Sequence, residues 1–214
     1  MKKLLYGAAY YDEYMPYDRL QQDVAMMKKA GINTVRIAES TWSTCEPQEG
    51  IFDFSHVIRV MDAMEEVEIN VIIGTPTYAV PTWMVKAYPD VLAETVRGRG
   101  IYGARQIMDI THPVYRYHAE KVIRKLMEVS AHRKCVIGFQ LDNETKYYGT
   151  AGRNLRLGNH GESTGSWSDV SMGNAVCSAW CRCSCILPLE SLCDGYRAVL
   201  AWYSGTQWQT GQNL

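Results

Sequence analysis

Up to Leu141 the chain alternates continuous apolar runs with stretches whose apolar positions recur at helical spacing. Leu4 to Ala9 reads as a short apolar strand. Asp18 opens a helix with Leu20, Val24 and Met27 on one face, and Gly31 closes it where a left-handed residue ends a helix. Thr34-Val35-Arg36-Ile37-Ala38 is a second strand, followed by a loop with Glu39, Trp42 and Glu46. Helix returns from Ser55, with Val57, Val60, Met61 and Met64 on one face, and Asn70 to Gly74 is a third strand. Pro113 lies in the first turn of another helix, whose inner face is Ala119, Val122, Ile123, Leu126 and Val129. A fourth strand runs from Cys135 to Leu141. None of these strands alternates strictly, which suits strands covered on both faces, as a parallel sheet wrapped by helices provides. The rhythm is that of an α/β fold, and it fits the first four βα units of a (β/α)8 TIM barrel.

Two segments break the rhythm. Thr75 to His112 is long for a connector and rich in Pro, Gly and Arg, so it is expected to be an active-site loop. Beyond Gly152 no Lys or Phe occurs, while Cys177, Cys181, Cys183, Cys185 and Cys193 crowd together, and neither an amphipathic helix nor a fifth barrel strand is legible. Cys181-x-Cys183-x-Cys185 is not a zinc spacing and has no matching second half. A disulfide-bonded extracellular tail fits poorly with a first part that carries no sign of export. The expected division is therefore residues 1–152 as the barrel segment and 153–214 as an atypical tail, read as a shifted frame or a mis-joined segment.

Composition narrows the function. A chain of 214 residues with 47% hydrophobic and 21% charged residues can bury one sizeable core, though a complete barrel takes about 250 residues. A net charge of -1 and a pI near 6.5 offer no basic surface for nucleic acid and no polybasic membrane anchor, so a neutral small-molecule substrate is expected. Met1-Lys2-Lys3 and the apolar run after it imitate a secretory signal. Asp12 and Glu13 follow without a cleavage context, and we read the run as the first strand of a cytoplasmic protein. No run approaches the roughly 20 apolar residues of a membrane span.

The candidate chemistry lies at the end of the fourth strand, where Gln140-Leu141-Asp142-Asn143-Glu144 places an Asn-Glu pair. In a barrel the carboxyl ends of strands face the substrate, so a polar pair emerging there reads as a proton donor with its neighbour. A solvated Asp-Asn-Glu turn is the plain alternative. A carboxyl group that donates a proton near neutral pH needs a partly apolar pocket or a nearby carboxylate. Trp42, Trp83, Tyr147 and Tyr148 are available as walls, with Trp83 serving equally well as core. Glu39 and Glu46 follow the second strand and are not expected to be the catalytic partner. His56, His112, His118, His132 and His160 form no ligand-spaced pair and are expected at the surface or at helix ends.

Taken in order, several short motifs resemble the glycoside hydrolase family 42 β-galactosidases over about residues 1–152. They include Gly7-Ala8-Ala9-Tyr10-Tyr11-Asp12-Glu13, Ala30-Gly31-Ile32-Asn33-Thr34-Val35-Arg36, Trp42-Ser43 with Glu46-Pro47, Gly50-Ile51-Phe52-Asp53-Phe54, and Gly74-Thr75-Pro76-Thr77 with Pro81-Thr82-Trp83. Gly103-Ala104-Arg105 and Gly138-Phe139-Gln140-Leu141-Asp142-Asn143-Glu144 complete the set. The resemblance implies a retaining barrel enzyme acting on terminal β-linked galactose, with Glu144 as general acid/base, Asn143 on the sugar hydroxyls and Arg105 reaching the galactose from the long loop. It places the nucleophile after strand seven, which is absent from this chain, so the chain as given is expected to be an inactive fragment. It implies homo-oligomers for the full-length form. Some members bind zinc through a cysteine cluster, but Asp109 stands at the first of those places and Thr145 to Gly152 contain no cysteine, so no metal or other cofactor is expected. Alternatives are a retaining enzyme for β-glucosides or α-L-arabinopyranosides, and a carbohydrate-binding protein without chemistry.

Overall fold

The computed structural model describes residues 4–95, 98–103, 107–143 and 185–188. In chain order the elements are β1 (Gly7–Ala9), α1 (Leu20–Lys29), β2 (Thr34–Ile37), α2 (Trp42–Cys45), α3 (Ser55–Glu66), β3 (Asn70–Gly74) and α4 (Thr82–Ala87). They continue with β4 (Glu94–Thr95), β5 (Gly98–Arg99), α5 (Pro113–Ser130), β6 (Val136–Leu141) and β7 (Cys185–Pro188). The main sheet has the order β1-β2-β3-β6-β7, and β1, β2, β3 and β6 run parallel. Each parallel strand thus lies beside the next one in sequence, with its crossover helix on one side.

The helix ends follow from local chemistry. Asp18 does not lie inside α1 but holds its start, its carboxylate accepting the Leu20 N–H at 3.2 Å. Gly31, at φ +75°, lets the chain leave α1 through the left-handed turn that a side chain would disfavour. Pro113 begins α5, and the His112 ring accepts the Val114 N–H at 3.3 Å. The strand expected at Leu4 to Ala9 is shorter than its apolar run. Leu4, Leu5 and Tyr6 are exposed, and the Asn33 side chain holds that segment through Leu4 O (2.8 Å) and Tyr6 N–H (2.9 Å).

Cross-strand partners in a parallel sheet share a face. Val35, Val71 and Val136 lie on one face, as do Ile37, Ile73 and Phe139, and all six are buried in one core with Val57, Met61, Met64, Val122, Ile123 and Leu126 of α3 and α5. Burying each such side chain favours the folded chain by about 1.5–3 kcal/mol. The other face carries Ala9, Arg36 and Ile72 in register, and it is only partly covered among the described residues. The apolar runs read as continuous because this second face uses small or aliphatic residues between its polar ones. A register shift lets Val71 pair with Val136 and Ile72 with Gly138, so Ile137 is an extra residue. That bulge keeps Phe139 toward the helices and turns Gln140, beside Gly74, to the other face.

The long segment after β3 is more than a loop. It contains α4, the β4–β5 hairpin and two short 3-10 turns, and it buries Tyr78, Val80, Met84, Val91, Leu92, Ile107 and Met108. Residues Cys185–Pro188 form a strand, where none was legible, but it runs antiparallel to β6 and so is not a fifth parallel barrel strand. Among the described residues no helix is long and apolar enough to cross a membrane.

Candidate functional site

The carboxyl ends of β1, β2, β3 and β6 bring Tyr11, Arg36, Glu39, Thr75, Gln140, Asp142 and Asn143 together. Arg36 leaves β2 on the partly covered face. Its Nη1 donates to Gln140 Oε1 at 2.9 Å, and its Nη2 donates to the Tyr11 hydroxyl at 2.8 Å and lies 3.4 Å from Glu39 Oε2. Glu39 is 1% exposed, and its carboxylate accepts the Tyr11 O–H at 2.6 Å and the Ser40 hydroxyl. An ion pair this deep offsets desolvation only where further donors satisfy the carboxylate, and Tyr11 and Ser40 supply them. Burial and the neighbouring Glu39 push the Tyr11 hydroxyl up to about 12, so it stays a neutral donor.

Backbone geometry concentrates here as well. The non-glycine residues at positive φ among those described are Ala38 (69°), Ser40 (66°), Glu68 (59°) and Asp142 (49°). Glu68 follows the cap of α3, an ordinary place for a left-handed residue. The other three sit at strand ends around Glu39 and Asn143, where uncommon backbone conformations cluster at functional sites. Gly74 closes the arrangement, because a Cβ there would stand 2.7 Å from Glu39 Cβ and 3.1 Å from its Cα.

Gln140, 1% exposed, is the hub. Its Oε1 is fixed by Arg36, which points its Nε2 at Asp142 O (2.9 Å) and Asn143 Oδ1 (3.4 Å). Asn143 also donates its backbone N–H to Asp142 Oδ1 at 2.7 Å. Asp142 and Asn143 are 4% and 6% exposed, so these two residues are not solvated. Burial, with Glu39 nearby, pushes the Asp142 carboxyl up to about 7 against the pull of the Asn143 N–H. On the β1 side, Arg59 pairs with buried Asp12, anchoring the loop that carries Tyr11 to α3. Glu13 keeps one buried carboxylate oxygen without a hydrogen-bond partner among the described residues, and burial raises its pKa.

The chain has counterparts among known proteins. Residues 9–153 match the family model described as β-galactosidase of glycoside hydrolase family 42. The chain belongs to that family. It is 34% identical over 145 residues to the β-galactosidase YesZ of Bacillus licheniformis, covering 67% of this chain and 22% of that protein. It is 34% identical over 139 residues to a β-galactosidase of Thermus thermophilus, covering 64% and 22%. Among solved structures it resembles the β-galactosidase from Rahnella sp. R3, at 34% identity and a TM-score of 0.64 over 67% of this chain and 22% of that one. The β-galactosidase of Halorubrum lacusprofundi is similar at 29% identity and a TM-score of 0.65, over 69% and 22%. The chain spans about a fifth of the length of the curated relatives it matches.

Of the residues singled out from the sequence of this family member, Asn143 lies in the cluster, while Glu144 and Arg105 fall outside the described residues, as do Tyr147 and Tyr148. Trp42 is no pocket wall. It is 0% exposed, and its indole N–H donates to Glu46 Oε2 at 2.8 Å. Trp83 is partly buried against the core, edge-on to His118 at 5.0 Å with its N–H on Glu46 O at 2.8 Å. Glu46 is thereby tied into the core, whereas Glu39, set aside in the sequence, sits within the site. His118 corrects the expectation for histidines, being 3% exposed in the middle of α5. Among the described residues no group of three or more His, Cys, Asp or Glu side chains could hold a metal ion.

Arg36, Gln140 and Tyr11 were missed as site residues. Arg36 had a signal: a charged residue within an apolar strand must face something other than the helices. Gln140 had the same signal, one residue after Phe139. Their pairing had none, since 104 positions separate them.

Proposed function

We propose that residues 1–152 are the first four βα units of the (β/α)8 catalytic barrel of a retaining β-galactosidase that removes terminal, non-reducing β-D-galactose from small galactosides. The observation that carries this is the Arg36–Gln140–Asn143 relay at the carboxyl edge of the sheet, one residue before Glu144. In the proposed reaction Glu144 protonates the departing glycosidic oxygen and then activates water. Asn143, oriented by Gln140, together with Arg36 and Arg105, engages the sugar hydroxyls.

Retention requires a second carboxylate about 5–5.5 Å from the first to attack the anomeric carbon. We assign it to the part of the relatives that this chain does not cover, so the 214 residues hold the acid/base half of the site and do not turn over substrate. The family match ends at residue 153, beside the change of composition after Gly152, which supports treating 153–214 as a separate segment. A reading of the coding DNA in the other two frames beyond that codon tests whether a shift produced it.

Nitrophenyl β-galactoside hydrolysis tests the whole reading. The purified 214-residue chain is expected to give none. Residues 1–152 joined to the remaining barrel of the Bacillus licheniformis relative should hydrolyse it, and Glu144→Gln in that protein should lower the rate by about 10²–10⁴-fold. Unchanged turnover in Glu144→Gln refutes the assignment of the acid, and turnover by the 214 residues alone refutes the division of the site.

A further inference from the structure

One ionisable group in the site is left without a role by that reading. Asp142 is 4% exposed, sits at φ +49°, and has one hydrogen bond to its carboxyl group and no ion pair among the described residues. The left-handed conformation is one that Asp and Asn tolerate through local hydrogen bonds. An Asn would accept the same N–H without the cost of burying a charge. The chain instead keeps a group that can gain and lose a proton two residues before Glu144.

Its surroundings form a clamp built from two strands. Thr75 continues the β3–β6 ladder by donating its N–H to Gln140 O at 3.0 Å, and its hydroxyl accepts the Asp142 N–H at 2.7 Å. That hydroxyl is itself 3.3 Å from Thr77 Oγ1. With its N–H held by Thr75 and its carbonyl held by Gln140 Nε2, Asp142 has little freedom, and its carboxyl oxygen fixes the Asn143 N–H at 2.7 Å. Among the described residues the charged group that faces it is Glu39, from the loop after β2, itself tied to Arg36 and Tyr11. The groups facing it from β3 and β6, Thr75 and Gln140, are neutral.

We propose that Asp142 is a proton-dependent positioning residue: clamped by Thr75, its carboxylate locks Asn143 against the sheet edge, and protonation loosens that lock. The meaning of this for sugar binding rests on the functional reading above. A carboxylate is a far stronger acceptor for the Asn143 N–H than the neutral acid. Burial raises the carboxyl to about 7, which brings the change into the neutral range rather than near 4.

The test is a pH titration by NMR of the full 214-residue chain labelled with 13C and 15N, following the Asp142 carboxyl carbon and the Asn143 amide. Both are expected to move together with a midpoint near pH 7. Asp142→Asn should abolish the Asn143 midpoint, Thr75→Val should displace it, and Thr75→Ser should restore it. An Asp142 carbon titrating near 4, or an Asn143 amide that ignores it, overturns the proposal. So does a Thr75→Val titration identical to that of the unaltered chain. Should Asp142→Asn fail to fold, the unaltered chain and the two Thr75 variants decide. No sugar is present in these spectra, so failure of the completed barrel to hydrolyse the galactoside would sink the functional reading without touching this result.

Discussion

Gly74→Ala is the sharpest probe of how β3 and the β2 loop meet. An added Cβ would lie 2.7 Å from Glu39 Cβ, 3.1 Å from its Cα and 3.2 Å from its N, where carbon pairs normally settle at about 3.5–4.0 Å. Relief requires moving Glu39 by the better part of an ångström. Glu39 cannot swing away as a surface side chain could, because Tyr11, Ser40 and Arg36 hold its carboxylate and the clash includes its backbone. Overpacking of this kind costs about 1–3 kcal/mol. Restricting the unfolded chain returns about 0.4–1 kcal/mol, so a net loss of about 1–2 kcal/mol is expected. Urea unfolding followed by tryptophan fluorescence measures it as a lower midpoint at constant slope. A double-mutant cycle with Glu39→Gly, which removes the nearest atom but not the Cα and N, should recover part of the loss. If Gly74→Ala were as stable as the parent or more so, the packing of Glu39 against the end of β3 would be wrong, and the site geometry with it.

Trp42→Phe keeps most of the buried ring but removes the indole N–H from the carboxylate of Glu46, which is 0% exposed. It should destabilise by about 1–3 kcal/mol in the same urea assay, and a loss near zero would mean that Glu46 Oε2 finds a new donor beside the Gly50 N–H that already serves Oε1. Burial holds His118 below its ordinary pKa, against the pull of Glu46 and Glu49. The folded chain therefore binds fewer protons there than the unfolded one, and this contribution to stability is lost as pH falls below about 6.5. Asp142 acts in the opposite sense, its raised pKa contributing stability at low pH that is lost as pH rises through about 7. Thermal melts from pH 5 to 7 should show His118→Gln losing stability with rising pH more steeply than the parent, and equal slopes would rule out a buried neutral His118.

Much of the architecture could be read from local pattern. The periodicities at Val57 to Met64 and Ala119 to Val129, the apolar runs at Thr34 and Asn70, and Pro113 all report backbone preferences and a single buried face, which neighbouring residues encode together. The patterns were weaker where tertiary contacts override local character. Leu4 to Tyr6 look like strand but are held by Asn33, and the segment after β3 looks like a loop yet supplies Met84 and Val91 to the core. Sequence also marked Asn143, which lies in the cluster, because a polar residue after an apolar strand is a local signal.

What only the tertiary structure decided is which polar groups meet. Arg36, Glu39, Tyr11 and Gln140 come from three separate strand ends, and their hydrogen bonds depend on parallel register and on one bulged residue, Ile137, that sets which way Gln140 faces. The same holds for Trp42 and His118, whose burial follows from the closing of helices over the sheet and not from their own surroundings in sequence. Periodicity fixes which face of an element is apolar. It carries no information about what stands opposite the other face, because that depends on the registers of segments far apart along the chain.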